Sequence, residues 1–323
     1  MTHIKEINPG QSENKVIKDL IDHIVFDEKL DNQYDFLEKS PIFAQELPRS
    51  IREEFYHFKR HEKYAAICVK DNPVLLNGVQ PTPSKLIELE DGYKINDAKI
   101  LLGLYGSLLG EGIGFTSQRN GSIYNNIIPF EELQNIPNSS SGSNRDFGFH
   151  VEDAFHPERA EFLGLVCMRN EEKAPTTISC IDGIELTDRE KTLLFQNRFY
   201  ISHNPIHSTS NIVDEEGQAI LFGAKEEPYV RINAAALNLD NNSLDEINAV
   251  NKVIDFFNKN KKSIVLNTSD CIFIDNFRCV HARDAYEPFF GEKARWLARV
   301  VFTTDLKKSR GMRGSVQSRA IIA

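Results

Sequence analysis

Two periods run through the hydrophobic positions of this chain, and they divide it near Phe115. In Asn14–Phe26, residues Val16, Ile17, Leu20, Ile21 and Ile24 recur at the spacing of one helical face. Residues 49–63 (RSIREEFYHFKRHEK) read the same way, so a helical layer is predicted at the N-terminal end. A weak strand over Ala65–Lys70 follows, then a loop marked by Asn77-Gly78, Pro81 and Pro83. Asp97–Leu109 reads as a helix or a buried apolar segment. From Phe115 onward the apolar residues come in short runs of strand length. These are Ile123–Ile128, Phe147–Phe155, Glu161–Met168, Thr176–Ile181, Tyr229–Ile232, Lys262–Leu266, Cys271–Asp275 and Arg295–Thr304. Helices are predicted between them at Asp188–Phe199 and Leu244–Asn258. Many short strands with inserted helices predict a mainly β fold, a sandwich or jelly roll under a helical cover. The chain reads as one domain over residues 1–323, with 1–100 as an N-terminal helical and mixed layer and 100–305 as the β core.

Composition narrows the classes without choosing one. With 323 residues, 41% apolar and 26% charged, the chain is long enough for a sizeable core. Its net charge of −9 argues against a nucleic-acid binder that works by neutralising phosphates. No apolar run approaches the ~18 residues of a membrane span. Met1 to Ser12 is polar and charged, without the apolar core of a signal peptide. The five Cys (68, 167, 180, 271 and 279) form no C-x-x-C pair and fit free thiols in a reducing cytoplasm. Cys167, Cys180 and Cys271 sit in or beside apolar runs and read as small core residues. A cytoplasmic protein without nucleic-acid or membrane partners is therefore expected, and assembly with further copies of itself stays open.

The candidate chemistry starts at His150-Val151-Glu152. Side chains alternate along a strand, so His150 and Glu152 are expected to point the same way and Val151 the other. A distant His281, in the run Asp275-Asn276-Phe277-Arg278-Cys279-Val280-His281-Ala282-Arg283, offers a second imidazole. Two imidazoles and one carboxylate are the facial triad that holds Fe(II) and leaves other positions open. A lone H-x-E arises by chance, and an ordinary core or surface His is its usual meaning. Here the surrounding Phe147–Phe155 is apolar, so charged groups inside it need a partner. The same ligand set also serves Zn²⁺ in hydrolases, and a non-catalytic metal-binding jelly-roll protein is a third reading. Arg295, Leu297, Arg299 and Val301 share one face of an apolar strand. Two buried Arg are costly unless paired, either with structural Asp and Glu or with captured carboxylates, which the guanidinium fork fits. Beside the triad, capture is favoured. His156, His203 and His207 read as loop histidines, two of them next to Pro157 and Pro205. Gly110-Glu111-Gly112-Ile113-Gly114 lacks the Lys of a phosphate loop.

His150-Val151-Glu152-Asp153-Ala154-Phe155-His156-Pro157-Glu158-Arg159-Ala160, with Leu163-Gly164-Leu165 and Met168-Arg169-Asn170, resembles the clavaminate-synthase-like Fe(II)/2-oxoglutarate oxygenases. Within them the resemblance is to the branch that hydroxylates free amino acids such as arginine, lysine and asparagine. Asp275-Asn276-Phe277-Arg278, His281-Ala282-Arg283 and Arg295-Trp296-Leu297 with Arg299 match at the same spacing, so the resemblance covers residues 100–305. It implies a double-stranded β-helix (jelly-roll) core flanked by α-helices. It implies His150, Glu152 and His281 as iron ligands, Arg295 as the anchor for the far carboxylate of 2-oxoglutarate, and Thr176 or Thr177 as the hydroxyl assisting it. Arg299 would hold the substrate α-carboxylate, and Gln118 with Glu152 its α-amino group, with O₂ as the other co-substrate. Arginine hydroxylases of the branch place acidic residues shortly after a Tyr-x-Arg stretch. In Pro228-Tyr229-Val230-Arg231-Ile232-Asn233-Ala234-Ala235, Asn233 stands where an Asp is expected and no acid pair follows. The expected substrate is therefore free L-lysine, its ammonium met by Asp153, Glu226 or Glu227, ahead of arginine, ornithine or asparagine.

Overall fold

The structure, a computed structural model, describes residues 2–26, 28, 30, 32–73, 81–83, 96–136, 139–202 and 217–322. Asn77-Gly78, His203, Pro205 and His207 lie outside the described residues. In chain order, β1 (Ile4–Ile7), α1 (Gln11–Phe26), α2 (Gln33–Phe43), α3 (Arg49–His61), β2 (Ala66–Val69) and α4 (Asp97–Ser107) come first. Strands β3 (Glu111–Phe115), β4 (Asn125–Ile127), β5 (Phe147–His150), β6 (Phe162–Arg169) and β7 (Thr176–Cys180) lead to α5 (Asp188–Leu194). Short strands β8 (Tyr200–Ile201), β9 (Leu221–Gly223), β10 (Pro228–Val230) and β11 (Leu237–Asn238) precede α6 (Leu244–Asn260). The chain closes with β12 (Lys262–Ile264), β13 (Cys271–Asp275), β14 (Cys279–Arg283), β15 (Trp296–Thr303) and β16 (Ala320–Ile321).

Two sheets organise these strands. The larger runs β1-β2-β13-β6-β15-β3-β16, with β4 also paired to β15; the smaller runs β12-β7-β14-β5. Strand alternation sorts their side chains into three apolar layers. Trp296, Ala298, Val300 and Phe302 of β15 face α1 to α4, in one cluster with Ile17, Phe55 and Tyr105. Leu297 and Val301 face the other way, in a cluster shared with Ile178 and Cys180 of β7 and Cys279 of β14. Phe149 of β5 and Val280 of β14 lie on the outer side of the small sheet, against Val250, Val253 and Phe257 of α6. The order is thus helices, large sheet, small sheet, helices. Gly164 lets α4 and the Phe273 ring seat closely, since a Cβ there would meet Phe273 at 2.8 Å and Leu102 of α4 at 3.1 Å. All five thiols are free and buried, which extends to Cys68 and Cys279 the core placement expected of the other three.

Some elements depart from the sequence reading. The strand expected over Ala65–Lys70 forms as β2, but β1 was not foreseen; it pairs with β2 in parallel and extends the large sheet. No apolar stripe announces α2, which contains Pro41; Asn32 starts it by accepting from the Tyr34 and Asp35 amides at 2.8 and 3.2 Å. The glycine-rich stretch at residue 110 forms β3. α5 stops at Leu194 rather than Phe199. α6 starts where expected because Ser243 and Glu246 form a reciprocal capping box. No helix among the described residues is long and apolar enough to cross a membrane.

Candidate metal centre and its two cavities

The pairing of β14 with β5 puts His281 directly opposite His150. Both rings face the space between the sheets, because Phe149 and Val280 occupy the outer face. The ring centroids are 4.1 Å apart. Glu152 reaches the same point by a different route from the one predicted. β5 ends at His150, so strand alternation does not carry Glu152. Instead Val151 N donates to Ile232 O at 2.9 Å and Glu152 N to Asn276 Oδ1 at 2.8 Å. Asn276 also donates to the carbonyls of Glu152 (3.2 Å) and Ala160 (2.8 Å), which fixes the backbone on both sides of the carboxylate-bearing residue. Asp153 then turns the chain in the left-handed region, φ 52°. The outcome matches the expectation that His150 and Glu152 share a side, while the cause is Asn276 and a turn.

The cluster has the chemistry of a metal site. One ligand atom from each of His150, Glu152 and His281 lies within 4.8 Å of the other two. Glu152 Oε1 is 3.4 Å from His281 Nε2 and 4.0 Å from His150 Nε2. His150 Nδ1 donates to Gly148 O at 2.8 Å, which leaves the Nε2 lone pair aimed inward without a hydrogen-bond partner. Burial, and then the neighbouring His281, pull the His150 pKa down to about 3, so the ring stays neutral and able to ligate. Burial would raise the Glu152 carboxyl, but Arg299 and the two imidazoles hold it well below the usual carboxylate range. An orphaned imidazole nitrogen beside an ionised carboxylate fits a divalent cation, and this is the only such group of three among the described residues.

Arg299 supports that carboxylate. It donates from Nη1 to Glu152 Oε2 at 2.7 Å and from Nη2 to Gln118 Oε1 at 3.0 Å. One oxygen of Glu152 therefore faces the imidazoles and the other the guanidinium. Two cavities meet here, sharing Ser140, Phe147, Glu152 and Arg299. The first also takes in Gln118, Asp153, Ser202 and Asn233. The second takes in Thr176, Arg283, Arg295 and Leu297, so three arginines and one carboxylate line it.

Strand geometry separates the two threonines. Thr176 lines the second cavity, whereas Thr177 points away and shares a 2.9 Å hydrogen bond with Ser263. Arg295 lies just before β15 rather than in it, yet lines the cavity with Leu297 and Arg299. Asn233 bridges to His150 and borders the first cavity. Glu226 and Glu227 are not there: they line a separate cavity with His61, Glu62, Asp182 and Arg278. The short β9–β10 hairpin turns them into that cavity, so among the described residues Asp153 and Glu152 are the carboxylates that line the first. His156 is buried against Phe115, 4.8 Å between centroids, and is not part of the cluster. Sequence reasoning missed Asn276, Ser140, Phe147 and Arg283. Asn276 and Arg283 stand inside motifs already singled out, but only the folded contacts give them work.

No family model matches the chain. It is 28% identical to an enduracididine beta-hydroxylase of Streptomyces hygroscopicus, over 91% of this chain and 94% of that one. It is 23% identical to an L-ornithine/L-arginine 3-hydroxylase of Catenulispora acidiphila, over 89% and 91%. An L-lysine 4-hydroxylase of Niastella koreensis is 26% identical over 71% of this chain and 63% of its own. A crystal structure of the non-heme iron oxygenase OrfP in complex with Fe and alpha-ketoglutaric acid superposes with a TM-score of 0.88. That match covers 98% of this chain and 99% of the other at 26% identity.

Proposed function

We propose, from the premise that this chain is an Fe(II)/2-oxoglutarate-dependent oxygenase that hydroxylates an amino acid, that its substrate is a free basic L-amino acid of the arginine and ornithine type. The observation that carries the reading is the second cavity. Arg283, Arg295 and Arg299 line it together with Glu152 and Thr176, next to the metal cluster. That excess of positive charge suits a dianion such as 2-oxoglutarate and has no use in a zinc hydrolase. The iron would sit on His150, Glu152 and His281, and the two facing sheets then form a double-stranded β-helix within one domain.

When bound, the iron with 2-oxoglutarate and O₂ supplies the oxidising chemistry that hydroxylates the substrate and releases succinate and CO₂. The protein's own residues bind, orient and exclude water. Arg295 pairs with the far carboxylate of 2-oxoglutarate, and Thr176 donates its hydroxyl to the same group. Arg299, already joined to Glu152 and Gln118, offers its fork to the substrate α-carboxylate, and Gln118 Oε1 takes the α-amino group. Asp153 meets the cationic side chain.

Lysine, expected from Asn233, gives way here to the guanidino and ornithine class. Two relatives that span almost the whole chain carry those names, and the lysine hydroxylase matches a shorter share. One carboxylate can grip a guanidinium through two parallel bonds, so the missing acid pair does not exclude it. The test is an anaerobic Fe(II) and 2-oxoglutarate titration followed by O₂, with succinate measured over a panel of arginine, ornithine, lysine, enduracididine and asparagine. Succinate formation driven by arginine, ornithine or enduracididine supports the reading. Lysine alone would restore the sequence expectation, and no succinate with any of them would point to hydrolysis or to binding without catalysis.

A further inference from the structure

Past His281 the chain forms a strap along the wall of the second cavity. Arg283 is buried at the end of β14 and donates to the carbonyls of Gly142 and Arg145, the latter at 3.0 Å. Ala285 N donates to Asp146 Oδ1 at 2.8 Å, and Tyr286 N to Ser143 O at 3.0 Å. These bonds pin the segment Gly142–Asp146, and Ser140 just before it borders both cavities. Two guanidiniums lie near the face of the Tyr286 ring, Arg283 at 5.3 Å and Arg295 at 5.9 Å from its centroid.

Arg295 has an unusual environment for a buried arginine. Among the described residues no carboxylate or carbonyl meets its guanidinium, and its Nε is buried without a partner. Only its backbone amide is tied, to Glu172 Oε1 at 3.1 Å. A long side chain without an anion samples several rotamers, and a ligand that must order it binds more weakly. An aromatic face attracts a guanidinium and restricts it at no cost to its donors, which stay free for a carboxylate.

We propose that Tyr286 is a positioning residue for the co-substrate: its ring holds the Arg295 guanidinium aimed into the second cavity before 2-oxoglutarate arrives. Arg283 holds the ring in turn and fixes the wall segment. The inference rests on the reading of that cavity as the 2-oxoglutarate site.

The test is calorimetric titration of the Mn(II)-loaded protein with 2-oxoglutarate, for wild type, Tyr286→Leu and Tyr286→Phe. The KM for the amino acid and the Tm are measured beside it. Tyr286→Leu should weaken 2-oxoglutarate binding about tenfold, with the amino-acid KM within about twofold of wild type. Tyr286→Phe keeps the ring and should stay within about threefold. Undiminished 2-oxoglutarate affinity in Tyr286→Leu overturns the inference. So does equal weakening of both ligands, or a Phe variant as impaired as Leu, since either marks a general loosening. Failure of the wild type to bind 2-oxoglutarate would instead overturn the reading of the cavity, and this inference with it.

Discussion

Arg299 and Arg295 stand on one side of one strand segment, yet their surroundings differ. Arg299 touches Glu152 and Gln118; Arg295 touches no anion among the described residues. Removing one partner of a buried, hydrogen-bonded charge pair typically costs about 2–5 kcal/mol. Arg295→Ala should therefore raise the KM for 2-oxoglutarate and leave metal affinity near that of wild type. Arg299→Ala should raise the KM for the amino acid and weaken the metal as well, because Glu152 loses the bond that orients it toward the imidazoles. Metal titration alongside both KM values checks this, and equal effects of the two substitutions on all three quantities would undo the division.

At the scale of the element, β7 gives the sharpest case. Thr176 and Thr177 are neighbours in sequence and on opposite sides of the sheet. A hydrogen bond to a charged group contributes about 1.5–3 kcal/mol, so Thr176→Val should raise the 2-oxoglutarate KM about tenfold or more. Thr177→Val should leave that KM unchanged and register only as a small loss of stability. Sequence could name the pair but not the register, because two adjacent Thr satisfy either phase of a strand. The same limit explains what else was legible. Runs such as Cys271–Asp275 are apolar and bounded, and they fold as read. β5 looks longer in sequence than it is, since Phe149 and Val151 keep the apolar alternation going while the turn at Asp153 and the Asn276 clamp end the strand. The metal cluster was legible because its residue types are rare in apolar surroundings. The placement of Glu226 and Glu227 was not, because it depends on where the β9–β10 hairpin lies.

The whole molecule answers to pH through groups that the fold holds away from their ordinary titration. His150 has its pKa moved from 6.5 to about 3 by burial, so the unfolded chain takes up this proton well before the folded one. Stability from this group is present above pH 6.5 and is lost progressively as pH falls toward 3. Asp275 works in the other sense, since burial pushes its carboxyl up from 3.8 to about 6 and its share is lost as pH rises through 6. In metal-free protein, urea titrations at pH 7, 6 and 5 should show wild type losing stability relative to His150→Gln, with the Asp275 share common to both. A difference that stays constant across that range would contradict the burial argument. The buried thiols carry a practical corollary. Burial pushes Cys68 and Cys167 up to about 12 and Cys271 and Cys279 well above the ordinary value, and all five native thiols are buried. A maleimide dye offered to the native protein would find nothing to alkylate. A cysteine introduced at exposed Arg145, between Ser140 and Phe147, which border both cavities, would then be the single addressable thiol, and its fluorescence could follow ligand arrival without background.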